Sequence, residues 1–227
     1  MPKFIKISGS NEKFEVNNVF CIGKNYMDHI KEFGQNYAPE NPVVFLKPNS
    51  AVISNSENIR IPVCEGKPVS DSLHYETELV VAIGKDGQNI SESDAKDYVF
   101  GYAIGLDMTL RDLQLSAKKA GLPWATAKGF YSSAPVSEII SANGTINPMD
   151  LSLKLEINHI QKQLGNTNLM IFNIYKLISY ISTIFHIQKG DLIFTGTPEG
   201  VGEVKSGDYL CATLGNNLLN LKVKVDG

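Results

Sequence analysis

The sequence predicts an α+β domain that is mainly β. Three observations predict it. Turn signals recur along the chain, at Pro48-Asn49, Gly66-Lys67-Pro68, Asp86-Gly87, Asn143-Gly144, Asn147-Pro148 and Lys189-Gly190-Asp191. The segments between them are short and rich in Val, Ile and Leu, which is the composition of strands. Helical stretches are few and do not alternate with strands, which argues against a doubly wound α/β fold. A chain of 227 residues fits one domain spanning 1–227. Residues 1–55 form at most a small N-terminal subregion, because no linker sets them apart.

The elements follow in order. Residues 23–33 are expected to form a helix stopped by Gly34, a good residue just past a helix end. Lys47 closes an apolar strand that starts at Val43. Residues 77–84 are almost wholly apolar in their second half and read as a fully buried strand. A second apolar run, 99–106, is closed by Asp107. Thr109 followed by Asp112 resembles a capping box, opening a helix that runs to Gly121 with Pro123 just beyond. Every second side chain of 151–158 is apolar, and Leu221, Val223 and Val225 alternate with Lys222 and Lys224; both read as half-buried strands with one wet face. Between them, residues 168–185 carry Ile171, Ile174, Leu177 and Ile181, a helical stripe.

Composition removes several classes of function. Apolar residues at 43% and charged ones at 20% exclude a disordered chain. A net charge of −3 leaves no electrostatic footprint for nucleic acid or an anionic membrane. No apolar run approaches the ~20 residues of a membrane span. The N-terminus has no long apolar stretch and no small-residue cleavage site, so no secretory signal is expected. Cys21, Cys64 and Cys211 are odd in number, far apart and in no metal spacing, so they read as reduced thiols of a cytoplasmic protein.

Three acids carry the strongest chemical signal. On a strand, Glu76 and Glu78 project from one face about 7 Å apart, and like charges that close need something positive between them. Asp107 ends a buried run, where a carboxylate is costly unless paired or metal-bound. Three carboxylates without clustered Cys or His make a hard, all-oxygen site, suited to Mg2+, Mn2+ or Ca2+ rather than zinc. The bland alternatives are an exposed strand end for the glutamates and a helix cap for Asp107.

A second pair lies on the first helix. His29 and Glu32 are i,i+3 neighbours, and a carboxylate beside an imidazole orients it as a general base. A surface salt bridge is the alternative. His159 and His186 have no acid within one turn. Lys47 and Lys128 lie beside apolar segments, where a lysine snorkels or binds an anionic ligand. Arg111 and Gln114 lie three apart just after Asp107. Residues 194–202 are rich in Gly and Thr, with no phosphate-loop ending; they form either a close backbone approach to a ligand or a plain hairpin.

Taken together and in order, these blocks resemble the fumarylacetoacetate hydrolase family, most of all its small acylpyruvate hydrolase and oxaloacetate decarboxylase branch. The resembling blocks are 21–29, 45–50, 74–79, 101–109 with Arg111 and Asp112, 128–130, and 190–202. The H-x-E-x-E element and the G-D-x-[IL]-x-T-G-T-P-x-G-V-G element are the most specific. The resemblance implies a mixed β-sandwich roll with few helices, usually a homodimer. It implies Glu76, Glu78 and Asp107 as ligands of Mg2+ or Mn2+, and His29 with Glu32 as a water-activating dyad on a short lid helix. It implies Lys47, Lys128 and Thr197 as contacts to the oxo-acid end of the substrate, with Lys128 also neutralising developing charge, and Arg111 and Gln114 near the site. Lys24 stands where many relatives have Arg, and Gly129 where many have Ser.

The implied activity is hydrolysis of a C–C bond in a 2,4-dioxo acid such as acetylpyruvate or fumarylpyruvate. Hydroxide would attack the 4-oxo carbon and pyruvate enolate would leave. Oxaloacetate decarboxylation, or a ring-cleavage-pathway decarboxylase or isomerase reaction, uses the same electron sink and is the alternative. A non-catalytic oxo-acid-binding protein is the third reading. The implied partner is a small 2-oxo or 2,4-dioxo acid, with no nucleic acid and no membrane.

Overall fold

Alternation of apolar side chains lets two large sheets pack face to face. The computed structural model describes residues 2–142 and 144–226; Met1, and Asn143 of the expected Asn143-Gly144 turn, lie outside them. A six-stranded mixed sheet runs, in spatial order, Ile140–Ser141, Val99–Leu106, Thr77–Ile83, Leu192–Phe194, Val19–Gly23 and Val43–Lys47. Its pairs are antiparallel except Leu192–Phe194 beside Val19–Gly23. A five-stranded sheet runs Ile160–Asn166, Ser152–Ile157, Tyr209–Leu214, Leu219–Asp226 and Asn58–Arg60, the last pair parallel. A small antiparallel sheet joins Thr109–Leu110, Leu73–Tyr75 and Gly202–Val204. The architecture is the mostly-β, few-helix arrangement expected.

Strand periodicity explains why Thr77–Ile83 is buried on both faces. Leu79, Val81 and Ile83 point into the main core with Leu153, Leu155, Leu210 and Leu221 of the second sheet. Val80 and Ala82 point the other way, into a core shared with Val19, Phe194 and the N-terminal hairpin residues Ile5, Phe14 and Val16. The two alternating segments are strands as read. Ser152–Ile157 and Leu219–Asp226 bury every second side chain.

Among the described residues four α-helices punctuate the strands: α1 (Met27–Glu32), α2 (Arg111–Ala120), α3 (Ala125–Lys128) and α4 (Ile174–Ile184). Three boundaries differ from expectation, each because backbone pairing or a side-chain hydrogen bond competes with the helix. α1 starts four residues late: Gly23 pairs with Val43, Lys24 has a φ of +59°, and Asn25 is committed to hydrogen bonds with a distant loop. Thr109 does not cap α2. It is a strand residue opposite His74, and its hydroxyl donates to the Asp107 carbonyl. The Asp112 carboxylate instead accepts from Ser70 Oγ and the Asp71 amide. The 168–185 stripe splits into a 3-10 turn at Thr167–Leu169 and α4, which opens at Asn173, whose Oδ1 accepts from the Tyr175 and Lys176 amides. Ile171 therefore lies outside the helix. Gly34 and Gly121 close α1 and α2 as read, at φ +72° and +66°. No helix among the described residues is long and apolar enough to cross a membrane.

Gly101 shows how closely the six-stranded sheet packs. A Cβ there would fall 2.3 Å from the Ile140 carbonyl oxygen and 2.8 Å from Ile139 Cγ2. Gly101→Ala is therefore expected to destabilise the fold by about 2–3 kcal/mol, the upper range for overpacking. Urea melts check this. A wild-type midpoint would mean that the Ile140–Ser141 strand does not lie against Val99–Leu106.

Candidate active site

Register brings the three acids together. Glu78 lies opposite Gly105 and Thr77 opposite Leu106, so Asp107 arrives beside Glu76 and donates its amide to the Glu76 carbonyl at 2.8 Å. Glu76, Glu78 and Asp107 are 6%, 1% and 1% exposed, and one carboxylate oxygen from each lies within 4.8 Å of the others. They are neither an exposed strand end nor a helix cap.

Cations are buried among them. Arg111 Nη2 donates to Glu76 Oε1 at 2.5 Å, and Lys128 Nζ to Glu76 Oε2 at 2.8 Å. Lys128 Nζ also reaches Asp107 Oδ2 at 2.5 Å, and Lys47 Nζ lies 2.8 Å from Asp107 Oδ1. Burial alone would raise the Glu76 carboxyl, but Lys128 and then Arg111 hold it well below the usual carboxylate range. Burial disfavours the Lys128 ammonium, yet Asp107 and Glu76 raise it above an ordinary lysine.

Glu78 is the exception. Among the described residues it has no ion pair. Its Oε2 accepts the Gly196 amide at 2.7 Å. Burial first, then Asp107 and Glu76, push its carboxyl well above the usual range. Asp107 Oδ1 is buried without an aligned hydrogen bond, despite the nearby Lys47. Open lone pairs on two clustered acids, one of them repelled by the others, are what a hard divalent cation relieves. The donor set therefore fits Mg2+ or Mn2+.

The Gly196 amide is aimed by Asn25, a residue without a sequence signal for this role. Asn25 Nδ2 donates to the Phe172 and Thr195 carbonyls, and its Oδ1 accepts the Phe172 amide at 2.7 Å. Gly196 has φ +98°, and a Cβ there would fall 2.7 Å from Asn25 Cβ. Gln163, also unforeseen, braces the same loop from the five-stranded sheet. Its Oε1 accepts the Thr77 amide, and its Nε2 donates to Thr197 Oγ1 and the Pro198 carbonyl.

A cavity of about 280 Å³ opens over the acids. His29, Arg111, Gln114, Lys128 and Thr197 line it with Glu76 and Glu78. Arg111 Nη1 donates to Gln114 Oε1 at 2.5 Å. Lys47 does not line it; its ammonium is sealed behind Asp107 and donates to the Met108 and Lys128 carbonyls. His29 Nδ1 lies 3.1 Å from Glu32 Oε2, and Glu32 Oε1 accepts the Gly200 amide at 2.7 Å. An ionised carboxylate only accepts, so Nδ1 carries a proton, and in the neutral ring Nε2 is the nitrogen left to act as a base. The Phe33 ring stands edge-on to His29 at 5.1 Å.

Residues 18–225 match the fumarylacetoacetate (FAA) hydrolase C-terminal family. The chain belongs to the fumarylacetoacetate hydrolase family. Within it, the chain is 44% identical over 209 residues to the mitochondrial oxaloacetate tautomerase of Bos taurus, covering 92% of this chain and 91% of that one. It is 41% identical over 211 residues to an oxaloacetate tautomerase of Escherichia coli strain K12, covering 92% and 94%. The solved fumarylpyruvate hydrolase of Pseudomonas aeruginosa, in complex with Mn2+ and pyruvate, superposes with a TM-score of 0.93 at 36% identity, covering 99% and 96%.

All ten residues singled out in the sequence converge on this one region of the family fold. Asn25, Gln163 and the rings of Phe33 and Trp124 complete it. Asn25→Ala leaves buried amide and carbonyl groups of Phe172 and Thr195 unpaired, at about 1–3 kcal/mol for each group not resatisfied. The expected result is a loss of at least about 2 kcal/mol in urea melts. Unchanged stability would show that the 170–172 segment is not tied to the Thr195 turn.

Proposed function

We propose that this chain is a divalent-cation-dependent enzyme that enolises small 2-oxo acids, with keto–enol interconversion of oxaloacetate as its main reaction. One observation supports this above the others: the His29 imidazole, its proton held on Nδ1 by Glu32, lines the same cavity as the buried acids. The names of the 41–44% identical relatives support oxaloacetate as substrate.

Glu76, Glu78 and Asp107 are the residues proposed to hold Mg2+ or Mn2+. A bound divalent cation would supply Lewis acidity beside the 2-oxo group. His29 Nε2 takes the C3 proton, the C–H electron pair forms the C2–C3 double bond, and the carbonyl pair moves to the 2-oxygen. Glu32 steadies the imidazolium so formed. Lys128 offers its ammonium to charge developing on the substrate oxygen; that oxygen then takes a proton from water in the cavity to give the enol, and His29 returns its own proton to water. Arg111, Gln114 and Thr197 orient the substrate carboxylate end. Because Lys47 is sealed behind Asp107, we assign it to holding that carboxylate rather than to touching substrate.

A second reading is hydrolysis of 2,4-dioxo acids, favoured by the likeness to fumarylpyruvate hydrolase. There the same nitrogen takes its proton from water, hydroxide adds to C4, the C3–C4 bond breaks and pyruvate enolate leaves. Decarboxylation of oxaloacetate needs no activated water. The setting proposed, from the resemblance and the three free thiols, is a cytoplasmic homodimer that binds neither nucleic acid nor membrane.

The test compares enol-to-keto conversion of oxaloacetate, pyruvate release from oxaloacetate, and cleavage of acetylpyruvate, each with Mn2+ or with chelator. Chelation is expected to stop all of them. His29→Asn is expected to lower tautomerisation about 10²–10⁴-fold while leaving Mn2+ binding intact by calorimetry. A higher kcat/KM on acetylpyruvate than on oxaloacetate would install the second reading. Glu78→Gln is expected to weaken Mn2+ binding by more than about tenfold, and unchanged affinity removes Glu78 from the ligand set.

A further inference from the structure

Two cations line the cavity without an ion pair among the described residues. Glu76 has Arg111 and Lys128, Asp107 has Lys47 and Lys128, and Glu32 has His29 and the Gly200 amide. Lys24 and Lys118 line the same cavity and, among the described residues, form no ion pair. Lys118 lies one turn beyond Gln114 on α2, and so on the same helix face. Its ammonium is 5.0 Å from the Trp124 ring centre and 5.8 Å from that of Phe33.

The surroundings disfavour leaving Lys118 as a bare cation. Although part of its chain reaches solvent, burial first and then Arg111 lower its pKa to about 8; the more distant Glu76 opposes them, and Lys128 and Lys24 push the same way as Arg111. Aromatic faces compensate an ammonium only weakly. The acids are buried and mark the inner end of the cavity; Lys118 is exposed, Lys24 half-buried, and they mark the outer end. An alkyl tail reaching them would strip water from two unpaired charges. A carboxylate would instead gain charge-assisted hydrogen bonds.

We propose that Lys24 and Lys118 form an anion subsite at the outer end of the cavity that takes the far carboxylate of the substrate, making 2-oxo dicarboxylic acids its substrate class. The inference rests on the reading of the cavity as a 2-oxo acid site. The inner carboxylate and oxo group bind over the acids, and the outer carboxylate bridges the two ammoniums. Phe33 and Trp124 hold Lys118 in place. Selectivity over neutral-tailed 2-oxo acids then resides in residues remote from the reacting carbon.

Calorimetry with Mn2+ tests this on matched, stable ligands. 2-Oxoglutarate and 2-oxovalerate share a five-carbon chain and differ in the far carboxylate; oxalate probes the inner end alone. Wild type is expected to bind 2-oxoglutarate at least about tenfold more tightly than 2-oxovalerate, as a charged hydrogen bond warrants. Lys24→Gln and Lys118→Gln should each shrink that ratio, and the double variant should bring it near unity, with oxalate affinity unchanged. Lys118→Arg should keep the preference. The KM for oxaloacetate should rise in the Gln variants. Equal wild-type binding of the two ligands, or a ratio that survives in the double variant, overturns the subsite. Failure of wild type to bind oxalate with Mn2+ overturns the 2-oxo acid reading beneath it, and with it the subsite.

Discussion

Crowding three buried carboxylates, with one oxygen of each within 4.8 Å of the others, is the constraint to which the rest of the structure answers. Taking one carboxylate from water costs several kcal/mol, and each neighbour of like charge adds to that. Lys47, Lys128 and Arg111 meet the demand from three different elements: the end of a strand, α3 and the start of α2. None is close in sequence to all the acids. The strands must therefore be in register before the charges can be matched, which couples the site to the assembly of the six-stranded sheet. Glu78, left without a cation of its own, is where that matching is incomplete.

The second sheet works on the site from behind. Gln163 projects from Ile160–Asn166 to the Thr77 amide and to the Thr197–Pro198 turn, so the five-stranded sheet positions the loop whose amides meet Glu78 and Glu32. Asn25 does the same from the end of a central strand. Both are buried amides with donors and acceptors satisfied together. Such groups set geometry more sharply than apolar packing does, because misplacement by even 1 Å leaves a polar atom unpaired.

Legibility followed the range of the interaction. Period-2 patterns in 151–158 and 219–225 need only their own neighbours, and they read correctly. The acids were legible because Glu76, Glu78 and Asp107 adjoin apolar runs, and the resemblance added the grouping with His29 and Glu32. Helix starts failed where a side chain was engaged far along the chain: Asn25 with Phe172, and Asp112 with Ser70. Thr109 followed by Asp112 has the spacing of a cap, but backbone pairing with His74 outbid it. Gln163 carries no local mark, since its partners are more than thirty residues away. Lys118 looks like an ordinary surface lysine until the rings of Phe33 and Trp124 close on it.

Glu32 grips two things with its two oxygens: the His29 ring through one and the backbone of the 196–202 loop, at Gly200, through the other. One carboxylate therefore joins three things that lie far apart in the sequence: a helix, a catalytic-type ring and a glycine-rich loop. Its two oxygens share one rigid plane, so the angle at which the loop meets the helix also sets the angle at which the imidazole is held. Ring orientation and helix attachment have been merged into one side chain, and neither duty can be altered without the other registering the change.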